Sequence, residues 1–171
     1  MKEAEHRHRE WLEGARDTLP FAAGAFALAI GFGVLARTAA LTVAEISLMS
    51  ALVFAGSAQF AALPLLSVWA TPATIIATTA AINLRHLLMG ASLTRVLQGV
   101  PRRLLAAVAF GLTDETYALV MGRAQRRRLF PAYVLGSFCA MYVGWNAGTA
   151  LGAALGALIG PPERYGLDFA V

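Results

Sequence analysis

Five long apolar segments constrain this chain more than any other feature, because each is close to the length that crosses a lipid bilayer. They are residues 20–36, 46–70, 72–93, 104–122 and 131–160. A bilayer-spanning helix needs about 20 residues, with a range of roughly 17–25. None of the segments alternates apolar and polar residues as a half-buried strand does, and a helix pairs its own backbone groups inside lipid. The sequence therefore predicts an all-α, polytopic membrane protein whose residues 20–171 form one transmembrane domain.

The charged residues lie mostly outside these segments. Charged residues make up 14% of the chain and hydrophobic residues 58%, whereas soluble domains carry about 25% charge. Residues 1–19 are polar and mixed in charge, which predicts an amphipathic helix on the cytoplasmic membrane surface with solvated charges. Four arginines cluster within residues 123–128. The net charge is +4, and we expect the loop arginines that produce it to contact anionic lipid rather than nucleic acid.

Several functional classes lack their usual signatures. The chain has one cysteine, Cys139, and scattered histidines, so we expect no internal disulfide, no metal site and no cofactor. It contains no nucleotide-binding glycine loop, no nucleophile elbow and no His-Glu-x-x-His motif. Since no nucleophile–base pair is visible either, we do not expect an enzyme.

Basic loops predict an unusual topology. If every segment crosses once and the N-terminus is cytoplasmic, the arginines of residues 95–103 lie outside and those of residues 123–128 lie inside. The positive-inside rule opposes this arrangement. Both loops become cytoplasmic if residues 46–70 and residues 104–122 each enter the membrane and return on the same side. Plain spanning helices with polar kinks are the alternative.

Both of these segments carry polar interruptions. Gly56 and Ser57 interrupt VFAGSAQFAAL, and Thr113-Asp114-Glu115 interrupt AFGLTDETYAL. Residues 54–59 align with residues 110–115, and each interruption is followed by a segment with a central asparagine, Asn83 or Asn146. This pattern predicts an inverted repeat whose broken helices meet in the middle of the membrane. Chance similarity between two alanine-rich stretches is the alternative.

The AGSAQF stretch has the features of a helix start that is free to bind an anion. Ser57 is a good N-cap residue, and no acid follows it in the first turn. The exposed N–H groups near Ser57, Ala58 and Gln59 could then receive a carboxylate. Close packing by small residues is the simpler alternative.

The LTDETYAL stretch predicts a second helix start of different character. Thr113 is expected to be the N-cap, with Asp114 and Glu115 in the first turn. An acid inside the membrane is a functional candidate by default, so either carboxylate could hold an ammonium group, carry a proton or pair with an arginine. A hydrated surface loop is the alternative.

The INLRHLL stretch places polar residues at the centre of an apolar segment. If residues 72–93 form one helix, Asn83 lies near its middle and is a substrate-binding candidate. An unpaired arginine there costs about 2.5–3.5 kcal/mol on insertion scales, so Arg85 is predicted to pair with Asp114 or Glu115, and it could also bind substrate. His86 is either a neutral core histidine or a proton carrier.

The last segment has a glycine at every fourth position. Such a stripe of small residues allows very close helix contact, with a partner in this chain or in another subunit. The stripe consists of Gly144, Gly148, Gly152, Gly156 and Gly160.

Four stretches together resemble a known family. PFAAGAFALAIGFGVLA, VFAGSAQFAAL, INLRHLLMGASL and LTDETYAL, in this order and spacing, are similar to the AzlC family of branched-chain amino-acid exporters, from about Gly14 to the C-terminus. The resemblance implies export of leucine, isoleucine, valine and similar amino acids from the bacterial cytoplasm. It implies the large subunit of a two-component secondary carrier in the inner membrane, with a small AzlD-type membrane subunit. Family members usually run longer than this chain.

The resemblance and the two helix starts combine into one site hypothesis. The carboxylate of a zwitterionic substrate would lie at Ser57–Gln59 and its ammonium group near Asp114 or Glu115. The aliphatic tail would contact Phe54, Phe60 or Tyr117. A passive small-solute channel and a structural subunit whose partner carries the pathway are the alternative functions.

Overall fold

The computed structural model describes residues 2–159 of the chain, and side chains between Glu3 and Leu158. Within this range there are eight helices and no strand, which confirms the all-α prediction. They are α1 (Lys2–Thr38), α2 (Val43–Val53), α3 (Gly56–Ser67), α4 (Pro72–Asn83), α5 (Arg85–Val96), α6 (Arg102–Phe110), α7 (Asp114–Ala124) and α8 (Pro131–Ile159).

The polar N-terminal residues do not form a separate helix. They are the first half of α1, which continues without interruption into the first apolar segment. Over the described residues, the Glu3–Thr38 stretch is the one helix long and apolar enough to cross a bilayer by length and composition. The 29-residue α8 carries no charged side chain. Its frequent glycines and Asn146 lower its mean hydropathy, so it does not meet the same criterion.

The chain folds into two compact units. Unit 1 comprises residues 2–25 and 83–144, and unit 2 comprises residues 26–82 and 145–159. Unit 1 has a continuous apolar core in which helices α5, α6, α7 and the start of α8 meet. Its buried members are Leu93, Leu97, Val108, Leu112, Val120, Tyr133 and Val134.

In unit 1, α1 and α8 touch through glycine. A Cβ atom added to Gly136 would collide with the main chain of Trp11, and one added to Gly144 would meet the carbonyl oxygen of Ala22. Backbone contact this close is possible only where the side chain is a hydrogen atom. In unit 1, Gly144 therefore lies against a helix of the same chain.

In unit 2, the remaining described glycines of the stripe make the same kind of contact. Gly148 lies against the carbonyl oxygen of Phe26, and Gly152 lies against that of Ile30. Gly156 faces Val34 and Arg37 farther along α1. Each step of four residues along α8 is matched by about four along α1, so the two helices run in the same direction. Gly160 lies outside the described residues.

The second apolar segment breaks where its sequence predicts an interruption. Phe54 ends α2 in the left-handed conformation, with φ of 42°, which a bulky residue rarely adopts. The N-cap of α3 is Ala55, not Ser57. The predicted cap is wrong because the turn closes two residues earlier, which places Ser57 inside the first helical turn.

The fourth apolar segment breaks as predicted, between α6 and α7. Thr113 is the N-cap of α7: its side chain accepts a hydrogen bond from the backbone N–H of Thr116, and the Thr116 hydroxyl accepts one from the backbone N–H of Thr113. The alignment of residues 54–59 with 110–115 places the two helix starts two residues apart, since α3 begins at Gly56 and α7 at Asp114. The inverted relation stays a prediction.

The third apolar segment is not a single helix. A break at Leu84 separates α4 from α5, so Asn83 ends one helix instead of lying in the middle of another. The backbone N–H of Leu87 bonds to the carbonyl of Leu84 at 3.1 Å, and a ring nitrogen of His86, Nδ1, lies 3.1 Å from the carbonyl oxygen of Asn83. The ring of His86 therefore supplies the hydrogen bond to the Asn83 carbonyl that the backbone N–H of Leu87 would supply in an unbroken helix.

Candidate functional site

The start of α3, in unit 2, has no cap and no negative charge. No side chain caps its N-terminus and no acid lies in its first turn. The first N–H groups of a helix have no intrahelical acceptors, and the helix dipole makes this end positive. Ser57 is exposed, whereas Ala58 and Gln59 are fully buried. The three predicted anion-binding residues thus share one turn at an electropositive helix end.

Gln59 has one satisfied and one unsatisfied amide atom. Its Oε1 accepts a hydrogen bond of 3.1 Å from the indole Nε1 of Trp145. Its Nε2 is buried and has no hydrogen-bond partner among residues 2–159. The indole ring of Trp145 also lies so close to Gly56 that a Cβ atom there would collide with it. Trp145 therefore contacts both ends of the first turn of α3.

Aromatic rings form an apolar wall beside this turn. Phe60 packs edge-on against Phe32, with ring centroids 5.5 Å apart, and against Trp145, with centroids 6.5 Å apart. Phe32 in turn stacks on Trp145 at 6.1 Å. An aliphatic group next to the α3 start would contact rings rather than polar atoms.

The start of α7, in unit 1, carries the two predicted acids. Asp114 and Glu115 are exposed and occupy the first turn behind the Thr113 cap. Nη1 of Arg85 lies 2.7 Å from Oδ2 of Asp114, so the predicted ion pair between Arg85 and one of these acids is confirmed. The side chains of the pair are 40% and 50% exposed, which leaves room for another charged group to approach.

Three further candidates in unit 1 take part in contacts within the protein. His86 holds the carbonyl of Asn83 across the break between α4 and α5. Asn83 has a buried Oδ1 with no hydrogen-bond partner in the part of the chain that the structure describes. Tyr117, a predicted contact for an aliphatic tail, shares a 2.8 Å hydrogen bond with Ser92 of α5.

A charged cluster in unit 1 is absent from the sequence-based prediction. Arg123, at the end of α7, bonds Glu13 at 2.6 Å and Glu10 at 2.8 Å, and it lies 4.0 Å above the ring of Tyr133. The hydrogen bond from Arg123 lowers the pKa of the Glu13 carboxyl. The Tyr133 hydroxyl donates to Asp17. The acids at positions 10, 13 and 17 share one helix face by spacing, which is the signal that could have revealed the cluster.

These features define the chain as an all-α membrane protein with interrupted helices. The chain belongs to the AzlC family, because the family model described as "AzlC protein" matches residues 20–159. The resemblance seen in the sequence is thereby confirmed.

Three curated relatives place the chain within this family. It is 30% identical to the "Inner membrane protein YgaZ" of Escherichia coli strain K12, over 85% of this chain and 61% of the relative. It is 37% identical to an "Uncharacterized membrane protein" of Archaeoglobus fulgidus, over 77% of this chain and 56% of the relative. It is 28% identical to the "Branched-chain amino acid transport protein AzlC" of Bacillus subtilis strain 168, over 89% and 59%.

The chain spans about three fifths of the length of these relatives. No solved structure matches it.

Proposed function

We propose that this chain exports branched-chain and similar apolar amino acids, as the large subunit of a secondary carrier. The observation that carries the proposal is the uncapped, acid-free first turn of α3 beside the wall of Phe32, Phe60 and Trp145. A branched-chain amino acid offers an anionic carboxylate and an aliphatic side chain, which match these two surfaces. Membership of the AzlC family, and the name of the Bacillus subtilis relative, support the choice of substrate.

The acids of α7 have a separate part in the proposal. Asp114 is paired with Arg85 in a half-exposed ion pair, which a cationic group or a proton could disrupt. The expectation that Asp114 or Glu115 holds the ammonium group or carries a proton stays a prediction, as does proton transfer by His86. A small AzlD-type membrane subunit is part of the proposed carrier.

An export assay tests the function and the role of the acids. Vesicles carrying the chain together with its small subunit are loaded with labelled leucine, isoleucine or valine, and release is measured over time. We expect saturable export that accelerates when unlabelled leucine is present outside, since a carrier exchanges its substrates. We expect Arg85→Ala, Asp114→Asn and Glu115→Gln each to reduce export.

Two results would contradict these expectations. Full export by all three variants would reject the role of the α7 acids. Flux that does not saturate would favour a channel and reject the carrier.

The parallel course of α1 and α8 limits the membrane topologies that the chain can adopt. If both helices cross the membrane, the chain between them must return an odd number of times. Re-entry of both interrupted segments satisfies this condition, and so does re-entry of neither. The positive-inside rule favours re-entry of both, with a cytoplasmic N-terminus.

Cysteine labelling decides between these topologies. Gln98 and Gln125 are exposed on either side of the α6–α7 segment. Each is changed to cysteine in a Cys139→Ala background and labelled with a membrane-impermeant maleimide in intact cells. We expect both positions to react only after the membrane is opened. Labelling of either position in intact cells would reject the double re-entry.

A further inference from the structure

The amide of Gln59 is held in one orientation by its chemistry. The indole N–H of Trp145 can only donate a hydrogen bond, so the atom it contacts at 3.1 Å must be the amide oxygen of Gln59. The amide nitrogen, with its two N–H groups, must then be the atom left over. This assignment follows from the donor-only character of the indole.

The unused amide nitrogen lies where the chain is fully buried. Gln59 has no solvent exposure, and its Nε2 has no partner within the described range of the chain. A buried donor without an acceptor is costly and rare in native proteins. Such a group in the first turn of an uncapped helix is a donor that an acceptor from outside the described residues can satisfy.

Two contacts bring the amide to the α3 start. Long side chains in a helix lean toward its N-terminus, and Gln59 is the fourth residue of α3. Trp145, which holds the amide oxygen, rests its ring against Gly56, the first residue of the same helix. The amide of Gln59 and the first residue of α3 thus lie beside the same indole ring of unit 2.

We propose that Trp145 is a positioning residue that makes the α3 site selective for a carboxylate. By holding the oxygen of Gln59, it leaves only the N–H donors of that amide facing the ligand. A carboxylate accepts from these donors and from the helix start, whereas a carboxamide or a free amine brings donors of its own to a site that already has them. The inference rests on the proposed function, because it names which group of the exported amino acid this site recognises.

Competition binding to the complete chain in lipid nanodiscs tests the proposal. Labelled leucine is displaced with unlabelled leucine, with leucinamide, which lacks the carboxylate, or with isocaproate, which lacks the ammonium group. We expect the wild type to prefer leucine over leucinamide by at least about 10-fold, the size of one hydrogen bond to a charged group. We expect isocaproate to compete.

Two variants separate positioning from packing. Trp145→Phe keeps an aromatic ring and loses the indole N–H, and we expect it to lower the preference for leucine over leucinamide about 10-fold. A purely structural role would weaken both ligands alike and leave this ratio unchanged, which would overturn the proposal. Gln98→Leu, at an exposed loop position, is the control and should keep the wild-type ratio.

Gln59→Glu keeps the proposal testable if the tryptophan variant fails to fold. This isosteric change retains an acceptor for Trp145 and replaces the amide N–H groups with a second acceptor. We expect the variant to bind leucinamide at least as well as leucine. An unchanged preference for leucine would overturn the proposal.

The same measurements distinguish this inference from the proposed function. Isocaproate binding that depends on Trp145, without any export of leucine, would overturn the proposed function and support the carboxylate site. Export of leucine with a preference that neither variant alters would overturn the carboxylate site and leave the function in place.

Discussion

The two interrupted segments begin their second helices in opposite ways. In unit 1, α7 starts with a capping box at Thr113 and two acids, one of them paired with Arg85. In unit 2, α3 follows the N-cap residue Ala55 and has no side-chain cap and no acid in its first turn. The α7 start is thus capped by a side chain and carries negative charge, whereas the α3 start has no side-chain cap and no acid.

The two units also differ in how their helices are joined. Unit 1 uses ion pairs and hydrogen bonds, such as those of Arg123 with Glu10 and Glu13. Both units hold α1 against α8 through glycine, and unit 2 also joins α3 to α8 by the neutral hydrogen bond between Gln59 and Trp145. In this comparison the ion pairs join helices of unit 1, whereas the α3 start of unit 2 lies beside neutral groups.

The largest effect is expected from the backbone contact in unit 2. Gly152→Ala would place a methyl group against the carbonyl oxygen of Ile30, which cannot move without shifting α1. Overpacking of this kind costs about 1–3 kcal/mol, which should lower the midpoint of thermal unfolding in detergent by several degrees.

A matched glycine of α1 provides the control. Gly31 has open space around it, so Gly31→Ala should raise stability by up to about 1 kcal/mol through better helix propensity. Equal midpoints for the two variants would mean that the glycine contact does not hold unit 2 together.

A negative charge at the uncapped helix start is expected to affect transport. Ala55→Asp puts a carboxylate at the N-cap of α3, where it would compete with the substrate for the same N–H groups. We expect leucine export at least about 10-fold lower than that of the isosteric Ala55→Asn variant. The reason is that the substrate carboxylate would lose a hydrogen bond of the charged type, which changes a binding constant by about 10-fold or more. Similar export by the two variants would show that the α3 start does not bind an anion.

A smaller effect is expected at the capped helix start. Thr113→Ala removes the hydroxyl that accepts from the backbone of Thr116, at a cost of about 0.5–2 kcal/mol in stability. Thr113→Ser keeps the hydroxyl and should unfold at nearly the wild-type midpoint. If the alanine variant is as stable as the serine variant, the cap does not stabilise α7 and the contrast with α3 is weakened.

Local chemistry made much of this fold predictable. Apolar runs of bilayer length and the family motifs predicted the all-α membrane class, and the breaks near Gly56 and Thr113 followed from residues that weaken or start helices. The pairing of Arg85 with Asp114 was predictable because a charge in an apolar segment needs a partner and the chain offers few.

The wrong predictions concern features that local sequence does not determine. Ser57 is a better cap residue than Ala55, but the left-handed turn at Phe54 sets the start of α3. The break at Leu84 could not be predicted, because no glycine or proline stands next to it in the sequence. The bonds of Arg123 to Glu10 and Glu13 join residues more than 100 positions apart, and no short-range pattern specifies which distant arginine an acid will meet.

The contact between His86 and Asn83 has a consequence for any proton that passes through this ring. A carbonyl oxygen only accepts, so the bond at 3.1 Å requires a hydrogen atom on Nδ1. In the uncharged ring the lone pair then resides on Nε2, which becomes the single point of entry and exit. Transfer of a proton from Nε2 to Nδ1 and onward would require the hydrogen bond between Nδ1 and the Asn83 carbonyl to break first.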